Sequence, residues 1–201
     1  MQHHLMFDIE TLGFCDRAVV TSLSCVPFAI EARDDFIGLY ETSFMVKFDV
    51  KEQIKVYNRK VDKKTIDFWS AQDKEVMKSN VLPSEHDESL KDGIMLLSNF
   101  IKDLPYYDFK ESYLWSRGCY FDFPKIMSLF DDAKMNFYDV ANPFKIRDVR
   151  TYIDILTGVG NGKYTLRNGV PKEFKKHDCI SDSVYQVLSM QEIYRESTQE
   201  I

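Results

Sequence analysis

Three stretches near the start of the chain read as strands. Residues 4–10 are apolar apart from His4, Asp8 and Glu10, and residues 19–29 (VVTSLSCVPFA) and 42–48 (TSFMVKF) show roughly period-two alternation. Taken in order, they predict a three-stranded antiparallel meander. Helical periodicity follows. Asp62 stands where a cap would start a helix through Thr65, Ile66, Phe68 and Trp69. Residues 88–104 put Leu90, Ile94, Leu97 and Ile101 on one face. Residues 111–116 (ESYLWS) predict a short buried strand, residues 121–130 a helix, and residues 178–195 a last helix. The inner face of that last helix carries Ile180, Val184, Val187, Leu188 and Gln191. Between them, residues 158–169 are glycine-rich and polar and predict a mobile loop. This order gives an α/β chain, a mixed sheet with helices packed against it.

Composition narrows the class. A chain of 201 residues, 44% hydrophobic and 14% aromatic, fits one globular domain spanning 1–201. The net charge of -6 argues against a surface coated in basic patches for duplex binding. It leaves room for a nucleic-acid enzyme whose carboxylates are neutralised by divalent metal. Cys15, Cys25, Cys119 and Cys179 match no zinc spacing and follow no secretory signal, which predicts reduced thiols and a cytoplasmic protein. No apolar run approaches the roughly 20 residues of a membrane helix, so no membrane partner is expected.

The stretch LMFDIETLG, residues 5–13, breaks the pattern. Alternate strand residues lie about 7 Å apart and point the same way, so Asp8 and Glu10 share a face and Ile9 takes the other. Two buried carboxylates there repel and lose hydration. A bound Mg²⁺ or Mn²⁺ removes that penalty, because hard cations prefer oxygen ligands. An exposed edge strand with two solvated acids satisfies the spacing equally well.

Two later segments carry further candidates. Asp122, in LWSRGCYFDFP, follows the strand expected at residues 113–115, where an acid at a helix start also favours the dipole. Asp131 and Asp132 are rivals further along. In KHDCISDSVYQVLSM, Asp178 and Asp182 are four apart and share a helical face. His177 and Asp182 are five apart, about 140° around a regular helix, so His177 reaches a common site only from the loop or first turn before the helix.

These motifs resemble the histidine-containing branch of the DEDD 3′–5′ exonucleases (DEDDh), in the ribonuclease-H-like superfamily. DIETxG resembles its first motif, Asp122 its second aspartate, and His177 with Asp182 its third element. Within that branch the chain is similar to the group that includes exonuclease A of the T-even bacteriophages and related exoribonuclease domains. TIDFWSAQ (65–72), RGCYFDFP (117–124), RDVRT (147–151) and HDCISD (177–182) all resemble that group's stretches, in the same order.

The resemblance implies a ribonuclease-H-like sheet and hydrolysis of phosphodiester bonds at the 3′ end of single-stranded nucleic acid, DNA being favoured. It implies two divalent ions, Mg²⁺ or Mn²⁺. Asp8 would bridge both, Glu10 and Asp182 would complete one shell, and Asp122 the other. His177 would act as general base, and a phage origin would place the protein in host cytoplasm. The backbone around Thr11 and Leu12 would contact the terminal nucleotide, with the Leu12 side chain against the last base. Arg117 is a candidate phosphate ligand or a brace for the Asp122 turn. Arg147, Asp148 and Arg150 form either an internal ion-pair network or a phosphate track. Lys172, Lys175 and Lys176 would steer the substrate or form a solvated face. Trp69 and Phe68 are expected in the core. Asp178 is left as a cap or an outer acid. The alternatives are an exoribonuclease with the same site and a non-catalytic nucleic-acid-binding subunit.

Overall fold

A computed structural model describes residues 3–199. In chain order its elements are β1 (His4–Thr11), β2 (Val20–Phe28), α1 (Phe36–Glu41), β3 (Phe44–Lys47), α2 (Val50–Lys55), α3 (Lys63–Ser70), α4 (Lys74–Asn80), α5 (Leu90–Asp103), β4 (Leu114–Ser116), α6 (Cys119–Asp132), β5 (Ile146–Asp148), α7 (Val149–Thr157) and α8 (Cys179–Gln199). The strands make one mixed sheet in the order β3-β2-β1-β4-β5. β1, β2 and β3 pair antiparallel as expected, while β4 and β5 run parallel to β1.

Both faces of the sheet are covered. Leu5, Phe7, Ile9 and Leu23 point to one side and pack with Leu90, Ile94, Leu97 and Ile101 of α5 and with Phe123, Ile126 and Leu129 of α6. Met6, Val26, Phe28 and Trp115 point to the other and meet Val149 and Ile153 of α7 and Val184, Val187 and Met190 of α8. The nearly continuous apolar run of β1 is therefore a two-sided core pattern, interrupted on the α8 side by His4, Asp8 and Glu10.

Several elements go beyond the sequence reading. β5, α1, α2, α4 and α7 were not anticipated, and β3 is shorter than the 42–48 stretch because Thr42 and Ser43 bond back to α1 and Phe48 makes only an isolated bridge to Glu88. β5 has three residues, Ile-Arg-Asp, too few for any period to register. The short helices stand on their caps. Asp35, Asp49, Asp62, Asp73 and Asp148 each occupy an N-cap with the side chain accepting main-chain N–H bonds. Much of the acidic excess is thus structural. Along α8, Ile180, Val184, Val187 and Gln191 are buried as expected, but Leu188 is only half-buried and Met190 and Ile193 join the core. All four cysteines are free. No described helix is long and apolar enough to cross a membrane.

Candidate active site

The acidic interruption in β1 is matched by small residues on β2. Asp8 pairs across the sheet with Ser24, and Glu10 with Ser22. Directly paired residues share a face, so this side of the sheet presents a lane of short side chains. α8 settles into it. The Ser24 hydroxyl donates to the Cys179 carbonyl at 2.9 Å and lies 2.9 Å from the Ser183 hydroxyl, and the Cys179 thiol lies 3.1 Å from the Asp8 carbonyl. This close docking brings the first turn of α8 over Asp8 and Glu10.

The start of α8 is fixed by reciprocal hydrogen bonds. Asp178, left as a cap or an outer acid by the sequence reading, is its cap: Oδ1 accepts from Ser181 N at 3.0 Å and Oδ2 from Asn80 Nδ2 at 3.0 Å. Asn80 Oδ1 in turn accepts from Cys179 N at 3.0 Å. Asn80 ends α4, and nothing in its sequence context marks it. One turn into the helix, Asp182 Oδ2 accepts the main-chain N–H of His177 at 2.8 Å. That bond holds His177 in the loop with φ +65°, a left-handed conformation uncommon for non-glycine residues. The imidazole packs edge-on against Phe68, with centroids 5.2 Å apart, and against Trp69 at 6.2 Å.

Trp69 is buried as expected, yet it also serves the site: its Nε1 donates to the Thr11 carbonyl at 2.9 Å. Phe68 is not a core residue. It is 44% exposed and its ring lies on His177 instead. The turn after β1 is closed by Thr11 Oγ1 donating to the Gly13 carbonyl at 2.9 Å. Leu12 donates its N–H to the Val19 carbonyl at 2.8 Å, and its carbonyl accepts from Asp62 N at 2.7 Å. Both main-chain polar groups of Leu12, expected to meet the substrate, are thus paired within the protein.

Asp122 lies in the first turn of α6, just beyond the end of β4, and is 5% exposed. Asp148 steadies this helix start, accepting from Cys119 N at 3.2 Å while its other oxygen caps α7 through Thr151 N at 2.9 Å. Of the rivals, Asp132 is paired with Arg17 at 3.0 Å and Arg59 at 3.3 Å, and Asp131 is exposed.

The electrostatics follow from this convergence. Burial and then the neighbouring Glu10, Asp122 and Asp182 hold the Asp8 carboxyl well above the usual range. Glu10 is raised likewise by burial, then by Asp182 and Asp122. Burial pushes Asp122 up to about 7, with Ser116, Lys125 and Arg150 pulling the other way. Burial lifts Asp182 to about 6, against the His177 amide, Lys176 and Arg117. Burial and then Lys176 lower His177, so its ring favours the neutral form. Glu10, His177 and Asp182 each offer an atom within 4.8 Å of the others. Among the described residues none of the four carboxylates forms an ion pair. Hard oxygen donors, crowded and without a direct ion-pair partner, fit a divalent cation.

Asp8, His177 and Asp182 open into a cavity of about 530 Å³, whose remaining wall includes Arg117, Arg150, Lys176, Phe174 and Tyr185. Arg150 lines this space while Arg147 does not. The latter stacks on Tyr113, 4.6 Å from the ring centre, and donates to the Phe144 and Ile146 carbonyls. Lys172 and Lys175 lie outside the cavity lining.

A mixed five-stranded sheet flanked by helices, with acids gathered at the carboxyl ends of two parallel neighbours, is the build of a ribonuclease-H-like nuclease. Residues 3–194 match the family described as the 3′–5′ exoribonuclease Rv2179c-like domain, and the chain belongs to that family. It is thus a 3′–5′ exonuclease domain acting on the phosphodiester bonds of nucleic acid. The chain is 32% identical over 199 residues to the exodeoxyribonuclease of Enterobacteria phage T4, covering 92% of this chain and 86% of that protein. In fold it resembles the zinc-bound complex of E. coli exonuclease I with single-stranded DNA (TM-score 0.62, 9% identity), covering 98% of this chain and 41% of that one. It also resembles cell-death related nuclease 4 (TM-score 0.61, 11% identity), covering 98% and 64%. The chain spans less than half the length of exonuclease I.

Proposed function

We propose that this site removes nucleotides one at a time from the 3′ end of single-stranded DNA, with two divalent cations, Mg²⁺ or Mn²⁺. Asp8, Glu10, Asp122 and Asp182 would hold the cations. The observation that carries the reading is the gathering of Glu10, Asp182 and His177 within 4.8 Å, with Asp8 and Asp122 near enough to act on the ionisation of that cluster. When bound, such a pair of cations supplies positive charge to both the attacking and the leaving oxygen.

The chain's own groups do the rest. His177, kept neutral by burial, takes the proton of the attacking water, and its ring is aimed by Phe68 and Trp69. Asp182 would help hold the cations and also accepts the main-chain N–H of His177. The Leu12 side chain packs on the terminal base, and Arg117 binds phosphate. Preference for DNA is supported by the phage T4 exodeoxyribonuclease. The family description, an exoribonuclease domain, favours RNA as a second reading with the same site.

The experiment uses single-stranded DNA and RNA oligomers, labelled at either end, with Mg²⁺, Mn²⁺ or EDTA. Stepwise shortening of 5′-labelled DNA, loss in EDTA and slower RNA cleavage are expected. Asp8→Ala and Asp122→Ala are expected to abolish nucleotide release while folding normally. Normal turnover by either variant would refute the metal assignment.

A further inference from the structure

We propose that Arg117 and Arg150 form a two-guanidinium clasp for the substrate phosphate immediately 5′ of the scissile one. The proposal rests on the 3′–5′ exonuclease reading above. Both arginines line the cavity that Asp8, His177 and Asp182 line. Arg117 leaves the end of β4, and Arg150 belongs to the first turn of α7.

Their placement is built. Arg117 Nη2 donates to the Gly162 carbonyl at 2.9 Å, and Nη1 to Gln186 Oε1 at 3.4 Å. The Gly162 N–H donates to Asp154 Oδ1 at 2.6 Å, so both main-chain polar groups of this residue are held. Arg150 runs between two glycines. A Cβ at position 162 would fall 2.6 Å from Arg150 Cβ and 2.7 Å from its Cγ, and one at position 118 would fall 3.1 Å from Nη1. Both glycines have positive φ, +62° and +129°, which side chains rarely adopt. The loop that aims Arg117 therefore also presses the Arg150 stem into place.

Among the described residues neither arginine has a carboxylate ion-pair partner. Burial and then Arg150 depress the Arg117 pKa, against the weaker pull of Asp182 and Asp148. Two like charges placed together with no partner are completed by an anion, and guanidinium forks match phosphate oxygens. The register follows from the reaction. The scissile phosphate belongs to the carboxylate cluster and its cations, and both arginines lie beyond ion-pair distance of that cluster. An enzyme that removes the last nucleotide finds every other phosphate on the 5′ side. The next one is the clasp's ligand.

The test measures release of the first nucleotide from DNA oligomers. One series has normal linkages, and the other carries one neutral methylphosphonate at the linkage 5′ of the scissile bond. R150A is expected to raise KM by about 10- to 100-fold, with kcat changed less than about threefold. R150K should recover only part of the loss, because the fork is missing. Gly162→Ala, which displaces the Arg150 stem, should raise KM in the same direction. The methylphosphonate should raise the wild-type KM at least as much, and should cost R150A clearly less than wild type, since only Arg117 then remains to lose its contact. Unchanged KM in R150A, or penalties from R150A and the methylphosphonate that multiply, would overturn the clasp while leaving the exonuclease reading intact. A wild-type protein that releases no nucleotide from unmodified oligomers would overturn both.

Discussion

The main-chain N–H of His177 donates to the side chain of Asp182 at 2.8 Å, so a residue of the acidic cluster also fixes the conformation of the loop that carries the imidazole. The two roles separate by substitution. Asp182→Asn keeps an acceptor for the amide and removes the charge, whereas Asp182→Ala removes both. Both variants should lose activity, and only Asp182→Ala should speed hydrogen exchange at the His177 amide. Equal exchange in the two variants would refute the dual role.

His177 itself should govern the pH dependence. Its folded pKa is lowered by burial and Lys176, so the neutral ring dominates at neutral pH and is lost as pH falls. For His177→Asn, kcat should drop by about 10²- to 10⁴-fold, and the acidic limb of the pH–rate profile should flatten. A profile identical to wild type would remove the general base.

The carboxylates predict how the cation-free protein responds to pH. Asp182 and Asp122 titrate in the fold at about 6 and about 7, against about 4 in an unfolded chain. A carboxyl raised on folding stabilises the fold fully below its unfolded value, and that contribution is lost as pH rises through the folded value. In EDTA the melting temperature should therefore fall between about pH 4 and pH 7. Mg²⁺ or Mn²⁺ at neutral pH should restore it. In EDTA at neutral pH, Asp122→Asn should be more stable than wild type by about 1–3 kcal/mol. Calorimetry showing a flat profile, or no response to cation, would count against the crowded-acid account.

Trp69→Phe keeps the aromatic bulk and deletes the bond from Nε1 to the Thr11 carbonyl. Denaturant unfolding should show a loss of about 1–2 kcal/mol, since a buried carbonyl is left without its partner. Activity should fall as well, because the same ring lies against His177. Full activity alongside reduced stability would confine Trp69 to the core.

Asp148→Ala removes acceptors from two helix starts at once, Cys119 in α6 and Thr151 in α7. A loss of about 1–3 kcal/mol is expected in chemical unfolding. Turnover should drop too, since α6 carries Asp122 and α7 carries Arg150. A stability change with unaltered turnover would show that these helix starts hold position without the shared cap.

The sequence made part of this arrangement legible. Long periodic stretches such as α5 and α8 declared themselves, and the residues around Asp8, Asp122 and His177 carried recognisable spacing. What stayed hidden was either short or reciprocal. α1, α2 and α4 are six or seven residues long and owe their existence to caps as much as to periodicity. Asn80 and Asp148 hold the site through main-chain bonds to partners distant in sequence, which no local pattern encodes. Phe68 was misread because a helical aromatic looks the same whether it packs inward or against a loop imidazole. Arg147 and Arg150 sit three apart in one motif, and only the strand-to-helix junction sends them to different surroundings.

The serine lane has a consequence for how this molecule can vary. Ser22, Ser24 and Ser183 perform no chemistry, yet Ser24 and Ser183 let a 21-residue helix rest within hydroxyl reach of the sheet, and Ser22 lies 3.5 Å from Asn80 Oδ1, the atom that holds the first N–H of that helix. Glycine or alanine could stand in at these places, but a valine or leucine would wedge the helix outward and carry Asp182 and the imidazole loop away from β1. Tolerance to mutation should therefore be limited there by size rather than polarity, and a library randomised at the three positions should return active clones built almost wholly from the smallest side chains.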